Sequence, residues 1–349
     1  MSKHFDLTRL ETLIKDSIKV MDLDLSGLNV LTEAASGNFV STCLIAAMAN
    51  ANKVIAVTKD SSYGSANQVI DFCQNNANSL SINNIEFTDQ PPHEVAKGIN
   101  IVTNLGFVRP INKQLIDELP SNAVISLMWE PWELREEDID VNYCVSKDIP
   151  VIGTNERDTR LNTYKYVGLL AAKLLFERNI EIYSSNIIVI GSDPFGSYIH
   201  ETLQSIGASS TQLVLNEEIS NKEIEILKNL QNADAIILAE HNFPYQIIGK
   251  DSVIDPDNIK DKQLIHICGN VDKSFLNMRD MKIWPEEIAP FGYMSLTTEY
   301  VGPKPLVDLH TAGLKVGEIA SRSRLEGNSV LEAIEETQKS GLGLKLNAF

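Results

Sequence analysis

The chain has 349 residues, of which 43% are apolar, and carries a formal net charge of -17 at pH 7. A chain of this length and composition can bury two hydrophobic cores, so we expect two domains. The negative charge argues against nucleic acid or an anionic membrane as a partner, because both surfaces would repel the protein.

Predicted strands and helices alternate over the first half of the chain. After a surface helix over 6–20, aliphatic runs predict five or six short strands, most of them separated by helical segments. These strands are predicted at 30–32, 53–60, 85–89, 99–105, 122–129 and 150–155. Such alternation is typical of an open parallel sheet with helices on both faces.

A helix predicted over 159–179 separates this run from a second one of the same type. The second run contains a helix over 221–231 and ends in a proline-marked loop over 284–296. The segment 305–327 follows, and its latter part is predicted to be helical. The strands of the second run are predicted at 187–190, 211–217, 234–240 and 264–270. Together the two runs predict two doubly wound α/β domains.

No segment predicts secretion or membrane insertion. The N-terminal helix is too polar for a signal peptide, and no apolar run approaches the length of a membrane span. The four cysteines are widely spaced and form no C-x-x-C pair, which predicts buried free thiols in a reducing compartment. We therefore expect a cytoplasmic protein.

The strand at 187–190 ends in a glycine and runs directly into a helix, an arrangement that binds phosphate at the helix N-terminus. Gly191 and Gly196 match the first and third glycines of the dinucleotide motif G-x-G-x-x-G, but Asp193 stands at the second. Phe195 completes this candidate cofactor loop. A domain that no longer binds a dinucleotide would also keep two structural glycines, so both interpretations stay open.

An acidic side chain at the end of the next strand would bind the adenosine ribose of such a cofactor. Asn216 and Glu217 lie at this point, about twenty residues beyond Gly196. Glu217 would favour NAD over NADP, because a carboxylate repels the 2′-phosphate of NADP.

Polar residues follow the first and fourth predicted strands, at the sheet edge where open α/β sheets bind ligands. Glu33, Ser36 and Gly37 form a loop of small residues beside a carboxylate, which is a candidate substrate site. Arg109 could hold a carboxylate or phosphate with its forked guanidinium group, although a surface arginine before a proline turn is an equally good interpretation.

Polar residues also follow strands of the second run, where His241 and Asn270 are candidate substrate contacts. The alternative is that any strand end must carry polar residues. Trp129 and Trp132 could stack on a planar ligand, but we favour their closing the edge of the core. Because no cluster of His and Cys has metal-ligand spacing, no metal is expected.

Three stretches carry a resemblance to a known family. They are the segment 136–156, the helix 159–179 with the GSDPFG turn behind it, and the segment 308–318, in which His310, Ala312 and Gly313 match a Pro-His-x-Ala-Gly motif. In this order they resemble the D-2-hydroxyacid dehydrogenases, which include formate and glycerate dehydrogenases. The resemblance implies a flavodoxin-like substrate domain over 1–157 and 311–349, a Rossmann-type dinucleotide-binding domain over 158–310, and long linking helices.

The resemblance implies that His310, in a loop before a helix, is the catalytic acid and base. Histidine exchanges a proton near neutral pH, as hydride transfer to or from a carbonyl requires. Glu286 or Glu287 would orient it, and Asp308 is another candidate partner. The alternative is a structural histidine at a helix entry. The family's catalytic arginine is absent from 268–272, so a 2-hydroxy acid is not the obvious substrate.

These observations predict an NAD(P)-dependent oxidoreductase that transfers a hydride to or from a small carbonyl or hydroxy substrate, bound in a cleft between the domains. The resemblance also implies a homodimer. Two alternatives stay open. One is a non-redox ligand-binding or regulatory protein that keeps this fold, and the other is a transferase using a nucleotide-like donor, indicated by the segment 32–37 and by Asp60.

Overall fold

The computed structural model of the protein describes residues 5–215, 230–250, 252–278 and 281–349. The chain forms two compact units. Unit 1 comprises Met1–Asn162 and Pro303–Phe349, and unit 2 comprises Thr163–Gly302. The chain therefore enters unit 2 at residue 163, against 158 in the sequence-based expectation, and returns to unit 1 at 303, against 311.

Unit 1 contains a seven-stranded sheet in the order β3-β2-β1-β4-β5-β6-β12. The last strand, β12, pairs antiparallel with β6, and the other neighbours pair in parallel. The strands are β1 (Asn29–Glu33), β2 (Lys53–Val57), β3 (Ile85–Thr88), β4 (Ile101–Thr103), β5 (Val124–Ser126), β6 (Val151–Thr154) and β12 (Gly343–Lys345). Buried aliphatic side chains dominate the central strands, as is usual for a sheet covered on both faces.

Helices cover both faces of this sheet. The helices of unit 1 are α1 (Leu7–Met21), α2 (Ser41–Met48), α3 (Ala66–Ser79), α4 (Lys113–Glu118), α5 (Val141–Ser146), α9 (Pro303–Leu325) and α10 (Val330–Lys339). One core cluster contains side chains of α1, α2, α3, α9 and α10, and a second contains those of α4 and α5. The two clusters are the apolar layers that hold the helices to the sheet.

Helix α9 packs closely on the sheet because two glycines face it. A Cβ atom at Gly313 would lie 2.5 Å from Met128 Cε, and one at Gly317 would lie 2.7 Å from Ile101 Cγ2. His310, which the sequence placed in a loop before a helix, lies inside α9, which begins at Pro303, so that placement is wrong. Pro303 and Pro305 lie in the first turn of α9, where a missing N–H costs no helical hydrogen bond.

Unit 2 contains a five-stranded parallel sheet in the order β11-β10-β9-β7-β8. Its elements are α6 (Thr163–Glu177), β7 (Asn186–Ile190), α7 (Phe195–Ser205), β8 (Ser209–Leu213), β9 (Ala235–Ala239), β10 (Gln263–Cys268), α8 (Lys273–Met278) and β11 (Lys282–Trp284). Two core clusters lie within this unit, one of which joins α6 and α7 to the sheet. The helix predicted over 221–231 lies mostly outside the described residues.

Strand order locates the switch point of each sheet. Counted along the chain, unit 1 has the order 3-2-1-4-5-6 and unit 2 the order 2-1-3-4-5. Among the described strands both are orders of doubly wound sheets, so the two doubly wound domains that the sequence predicts are present. The order reverses between β1 and β4 in unit 1 and between β7 and β9 in unit 2, where ligands of such sheets bind.

All four cysteines are free and buried, as predicted. Within the described ranges, none of the helices has the length and apolar character needed to cross a membrane.

Candidate functional site

Glu33 lies at the switch point of unit 1. It is the last residue of β1, and only 6% of its surface is exposed. Its Oε2 accepts a hydrogen bond of 3.2 Å from the backbone N–H of Phe107, which follows β4. Because β1 pairs directly with β4, this bond joins the two strand ends at which the sheet order reverses. The carboxyl group therefore stands where a ligand of this sheet would bind.

Burial makes Glu33 a weak acid. Desolvation raises its pKa from 4.5 to about 7, although the N–H groups of Phe107 and Gly106 and the charge of Arg109 lower it. Desolvation is the largest of these effects because the charged form loses its hydration. A carboxyl group with this pKa exchanges its proton near neutral pH, which is a common property of functional sites.

Arg109 is held beside Glu33 by an ion pair and an aromatic ring. Its Nη1 donates to Asp138 Oδ1 at 2.6 Å, and its Cζ lies 5.3 Å from the ring centroid of Trp129. A Cβ atom at Gly106 would lie 3.5 Å from Glu33 Oε2 and 3.9 Å from Arg109 Nη2. The absence of a side chain at Gly106 therefore leaves both charged groups facing the same space.

Three side-chain N–H groups of residues that follow β4 and β5 are buried without a partner. Within the part of the chain that the structure describes, Asn104 Nδ2, Arg109 Nε and Trp129 Nε1 make no hydrogen bond. Asn104 is fully buried, and its Oδ1 accepts the N–H of Met128 at 2.8 Å, beside Trp129. A buried donor without an acceptor costs about 1–3 kcal/mol, so acceptor atoms of a ligand would be favoured here.

Ser36 and Gly37 lie at the same edge, in the loop that follows β1. Both are half-buried, and Gly37 begins a short 3-10 helix with a φ of +64°, a conformation that favours glycine. Asp60, which pointed to a nucleotide-like donor, accepts the N–H of Ala66 at 2.8 Å at the start of α3. Its observed contact is therefore local to the β2–α3 connection.

Three glutamates form a second acidic group at this edge, after β5 and β6. Glu130 Oε1 accepts the N–H of Glu156 at 3.1 Å, and Glu130 Oε2 accepts Trp132 Nε1–H at 2.8 Å. Burial raises the pKa of Glu133 to about 7, with the charge of Glu130 acting in the same sense and the hydrogen bond to Glu156 against it. Burial, with Glu133 and the charge of Glu130, raises the pKa of Glu156 well above its usual value. Among the described residues, no group of His, Cys, Asp and Glu is arranged to hold a metal ion.

His310 is an interior helical residue rather than a loop residue. Only 3% of its surface is exposed, and its Nδ1 lies 2.6 Å from Oγ1 of Thr42 in α2. Burial lowers its pKa from 6.5 to about 3, so the ring is neutral at physiological pH. Its neighbour Asp308 forms an ion pair with Lys304 at 2.8 Å. These contacts favour the structural interpretation of His310.

The other two residues predicted to be catalytic are exposed. Glu286 and Glu287 follow β11 in unit 2, whereas His310 belongs to unit 1. Their pairing with His310 stays a prediction.

The glycine turn of unit 2 has the predicted strand–turn–helix form, between β7 and α7. A Cβ atom at Gly191 would collide with the carbonyl oxygen of Ala239, and one at Gly196 would collide with that of Gly191. The two glycines therefore allow β7, β9 and α7 to approach closely, which is the structural role that the sequence left open. Asp193 is exposed.

Glu240 occupies the switch point of unit 2. It follows β9 and is 1% exposed. Its Oε2 accepts the N–H of Ser192 at 2.8 Å, and its Oε1 accepts the Ser192 hydroxyl at 2.8 Å. The N–H groups of Asn242 and Phe243 also donate to Oε1, at 2.8 and 3.2 Å. The N–H of Ser192, which a pyrophosphate at this turn would need, is thus already bound to Glu240, so NAD or NADP does not fit this loop.

The remaining residues predicted in unit 2 lie around this turn or outside the described ranges. The His241 ring stacks on Phe195 with centroids 4.8 Å apart, and Asn270 Nδ2 donates to the carbonyl of Pro244 at 3.0 Å. Asn216 and Glu217, the predicted ribose contacts, lie outside the described residues.

The sequence pointed to Glu33 and Arg109 but missed Asn104 as part of the same site. Asn104 directly follows β4, so its position after an aliphatic run was the available signal. Trp129 was assigned to core closure, and Glu240 was passed over for His241 because the sequence alone does not show which of two adjacent polar residues turns inward.

Comparisons with known proteins give structural matches only. No family model matches the chain, and no curated protein matches it. The dipicolinate synthase A chain from Bacillus subtilis is 13% identical with a TM-score of 0.52, covering 87% of this chain and 98% of its own. The pyruvate reductase of Chlamydomonas reinhardtii is 11% identical with a TM-score of 0.52, covering 86% and 98%.

At such low identity these matches establish the fold alone. They span nearly the full length of the solved chains, so both units are included in the likeness. The chain therefore shares the two-domain α/β fold of these two solved structures.

Proposed function

We propose that the protein is a non-redox ligand-binding protein of dehydrogenase-like fold, which binds a small anionic ligand at the carboxyl edge of the unit 1 sheet. The observation that carries the proposal is the group of unpartnered buried donors, Asn104 Nδ2, Arg109 Nε and Trp129 Nε1. Their N–H groups call for acceptor atoms, and the guanidinium charge of Arg109 favours a carboxylate or a phosphate.

Glu33 supplies the proton in this proposal. With a pKa of about 7 it is partly protonated at neutral pH, and its protonated form can donate a hydrogen bond to an anion. An anion beside it favours the protonated form further. Ser36 and Gly37 would line the same pocket from the loop after β1.

Thermal unfolding in the presence of small anions tests the proposal, since a ligand of the native state raises the melting temperature. Inorganic phosphate represents the phosphates, and pyruvate and oxalate represent the carboxylates. We expect one of them to stabilise the wild type and to bind Arg109→Lys at least about tenfold more weakly, because lysine lacks the fork and the Nε donor. Arg9→Lys, at an exposed position of α1, is the matched control. Equal responses of the two variants, or none in the wild type, would reject the site.

A second candidate function is hydride transfer with NAD or NADP on a small carbonyl or hydroxy substrate. The two glycines of the β7–α7 turn and the fold favour it. It would use His310 with Glu286 or Glu287. It requires Glu240 to release the N–H of Ser192. Saturable binding of NADH or NADPH to the wild type, detected by titration calorimetry, would support this candidate over the first.

A homodimer and a reducing, cytoplasmic compartment are also part of the proposal. Buried free thiols support the compartment. Exposed apolar side chains of α6, Leu169 and Phe176, offer surface that a second copy could cover. Light scattering after size exclusion measures the assembly.

A further inference from the structure

We propose that Glu240 is a built-in anion that takes the place of a cofactor phosphate at the β7–α7 turn and closes unit 2 to dinucleotides. The inference concerns unit 2 and is independent of the ligand site proposed for unit 1. It explains why a turn with two glycines and a following helix does not fit NAD or NADP in this structure.

The hydrogen bonds of Glu240 are those expected of a bound anion. Its carboxylate accepts the N–H groups of Ser192, Asn242 and Phe243 and the hydroxyl of Ser192, at 2.8–3.2 Å. Asn242 Nδ2 also donates to the Ser192 hydroxyl oxygen at 3.1 Å, which positions that hydroxyl. Three of these donors bind Oε1 and one binds Oε2, so both carboxylate oxygens are engaged within the unit.

The space that the glycines leave free is occupied by the protein itself. Gly191 faces the carbonyl oxygen of Ala239, and Gly196 faces that of Gly191. Gln212 Nε2 donates to the Gly191 carbonyl at 2.9 Å and so satisfies it within the unit. Both glycines therefore serve close packing within the unit, and Asp193 stands where the backbone of a dinucleotide motif approaches the pyrophosphate.

The negative charge at the β7–α7 turn also disfavours a phosphate. Glu240 is 1% exposed, so little water screens its carboxylate from a second anion at the turn. Asp193, which stands at the position of the motif's second glycine, adds an exposed carboxyl to the same turn. A phosphate would have to displace one carboxylate and approach another.

Anion rescue of a Glu240→Ala variant is the direct test. Removing the carboxylate leaves the Ser192, Asn242 and Phe243 donors around a space that fits a small carboxylate. We expect sodium acetate, compared with sodium chloride of equal ionic strength, to raise the melting temperature of Glu240→Ala more than that of the wild type. Glu201→Ala removes an exposed glutamate of α7 and is the matched control. Equal acetate effects in Glu240→Ala and Glu201→Ala would overturn the assignment.

If Glu240→Ala does not fold, titration of the wild type with NADH tests the proposal. We expect no saturable heat in calorimetry and no shift of the amide resonances of Ser192, Asn242 and Phe243. Saturable NADH binding that shifts these three resonances would overturn the inference. The anion response of unit 1 is expected to be the same in the wild type and Glu240→Ala, so failure of one proposal can be told from failure of the other.

Discussion

Among single residues, Glu33 shows how burial controls protonation. Its pKa is raised from 4.5 to about 7 because desolvation outweighs the Phe107 N–H and the charge of Arg109. The folded protein therefore keeps a proton that the unfolded chain releases near pH 4.5. The resulting stability is present in acid and is lost as the pH rises toward 7, and it amounts to about 3 kcal/mol.

We expect Glu33→Gln to remove this pH dependence, because the amide stays neutral. The free energy of unfolding should rise relative to the wild type by about 3 kcal/mol between pH 4.5 and pH 7 and stay level above it. Urea unfolding across this pH range measures the difference in free energy of unfolding between Glu33→Gln and the wild type. Because both proteins contain Glu133 and Glu156, the titration of those two residues cancels in the difference. Glu118→Gln, at an exposed position of α4, is the control. A difference that does not change with pH would contradict the burial of Glu33.

His310 provides a pH dependence of opposite sign. Its pKa is lowered to about 3 in the folded protein. Between pH 6.5 and pH 3 the unfolded chain therefore binds a proton at this residue that the folded protein does not bind. The stability contributed by the neutral ring is lost as the pH falls, by about 2 kcal/mol at pH 5. We expect His310→Asn to lack this acid-induced loss in urea unfolding. Thr42→Val, which keeps the buried imidazole, should retain it. If His310 were a general acid that protonates near neutral pH in the folded protein, His310→Asn would leave the pH dependence of the free energy of unfolding unchanged.

At the scale of elements, the alternation of aliphatic runs was enough to predict both sheets, because buried parallel strands need nearly continuous apolar residues. The start of α9 was missed because the likeness of His310 and Gly313 to a family motif placed His310 in a loop before the helix. Proline is compatible with the first helical turn, so this boundary depended on packing that the local sequence does not show.

The candidate sites were predictable to a smaller extent. Strand ends identified Glu33 and Arg109, since ligands of α/β sheets bind there. The decisive contacts join distant segments, as between Glu33 and Phe107, 74 residues apart, and between Glu240 and Ser192, 48 residues apart. Such pairs follow from strand order, which a sequence without aligned relatives does not specify.

The close packing of α9 on the sheet gives a prediction for Gly317→Ala. Alanine usually stabilises a helix interior by about 1 kcal/mol, but a Cβ here would lie 2.7 Å from Ile101 Cγ2 in the core. We expect a net loss of about 1–3 kcal/mol in urea unfolding, as for an overpacked core. Gly302→Ala, where a Cβ meets no atom within 4 Å, should be nearly neutral. A stabilised Gly317→Ala would mean that α9 lies farther from β4.

In the whole molecule, unit 2 is one continuous segment that is inserted into the chain of unit 1, so unit 1 is a discontinuous domain. Unit 2 has its own core clusters, built from its own helices and strands. Unit 1 depends on its last segment, since Val307, Ala312 and Leu314 of α9 belong to its main core and β12 pairs with β6.

We therefore expect the fragment 163–302 to fold alone and the fragment 1–162 not to, because only the former contains a complete core. Joining 1–162 to 303–349 through a short glycine–serine linker should restore the fold of unit 1. Cooperative urea unfolding and dispersed amide spectra measure the outcome. A folded 1–162 fragment would show that α9 is dispensable for the sheet, and an unfolded 163–302 fragment would show that the core of unit 2 is not sufficient by itself.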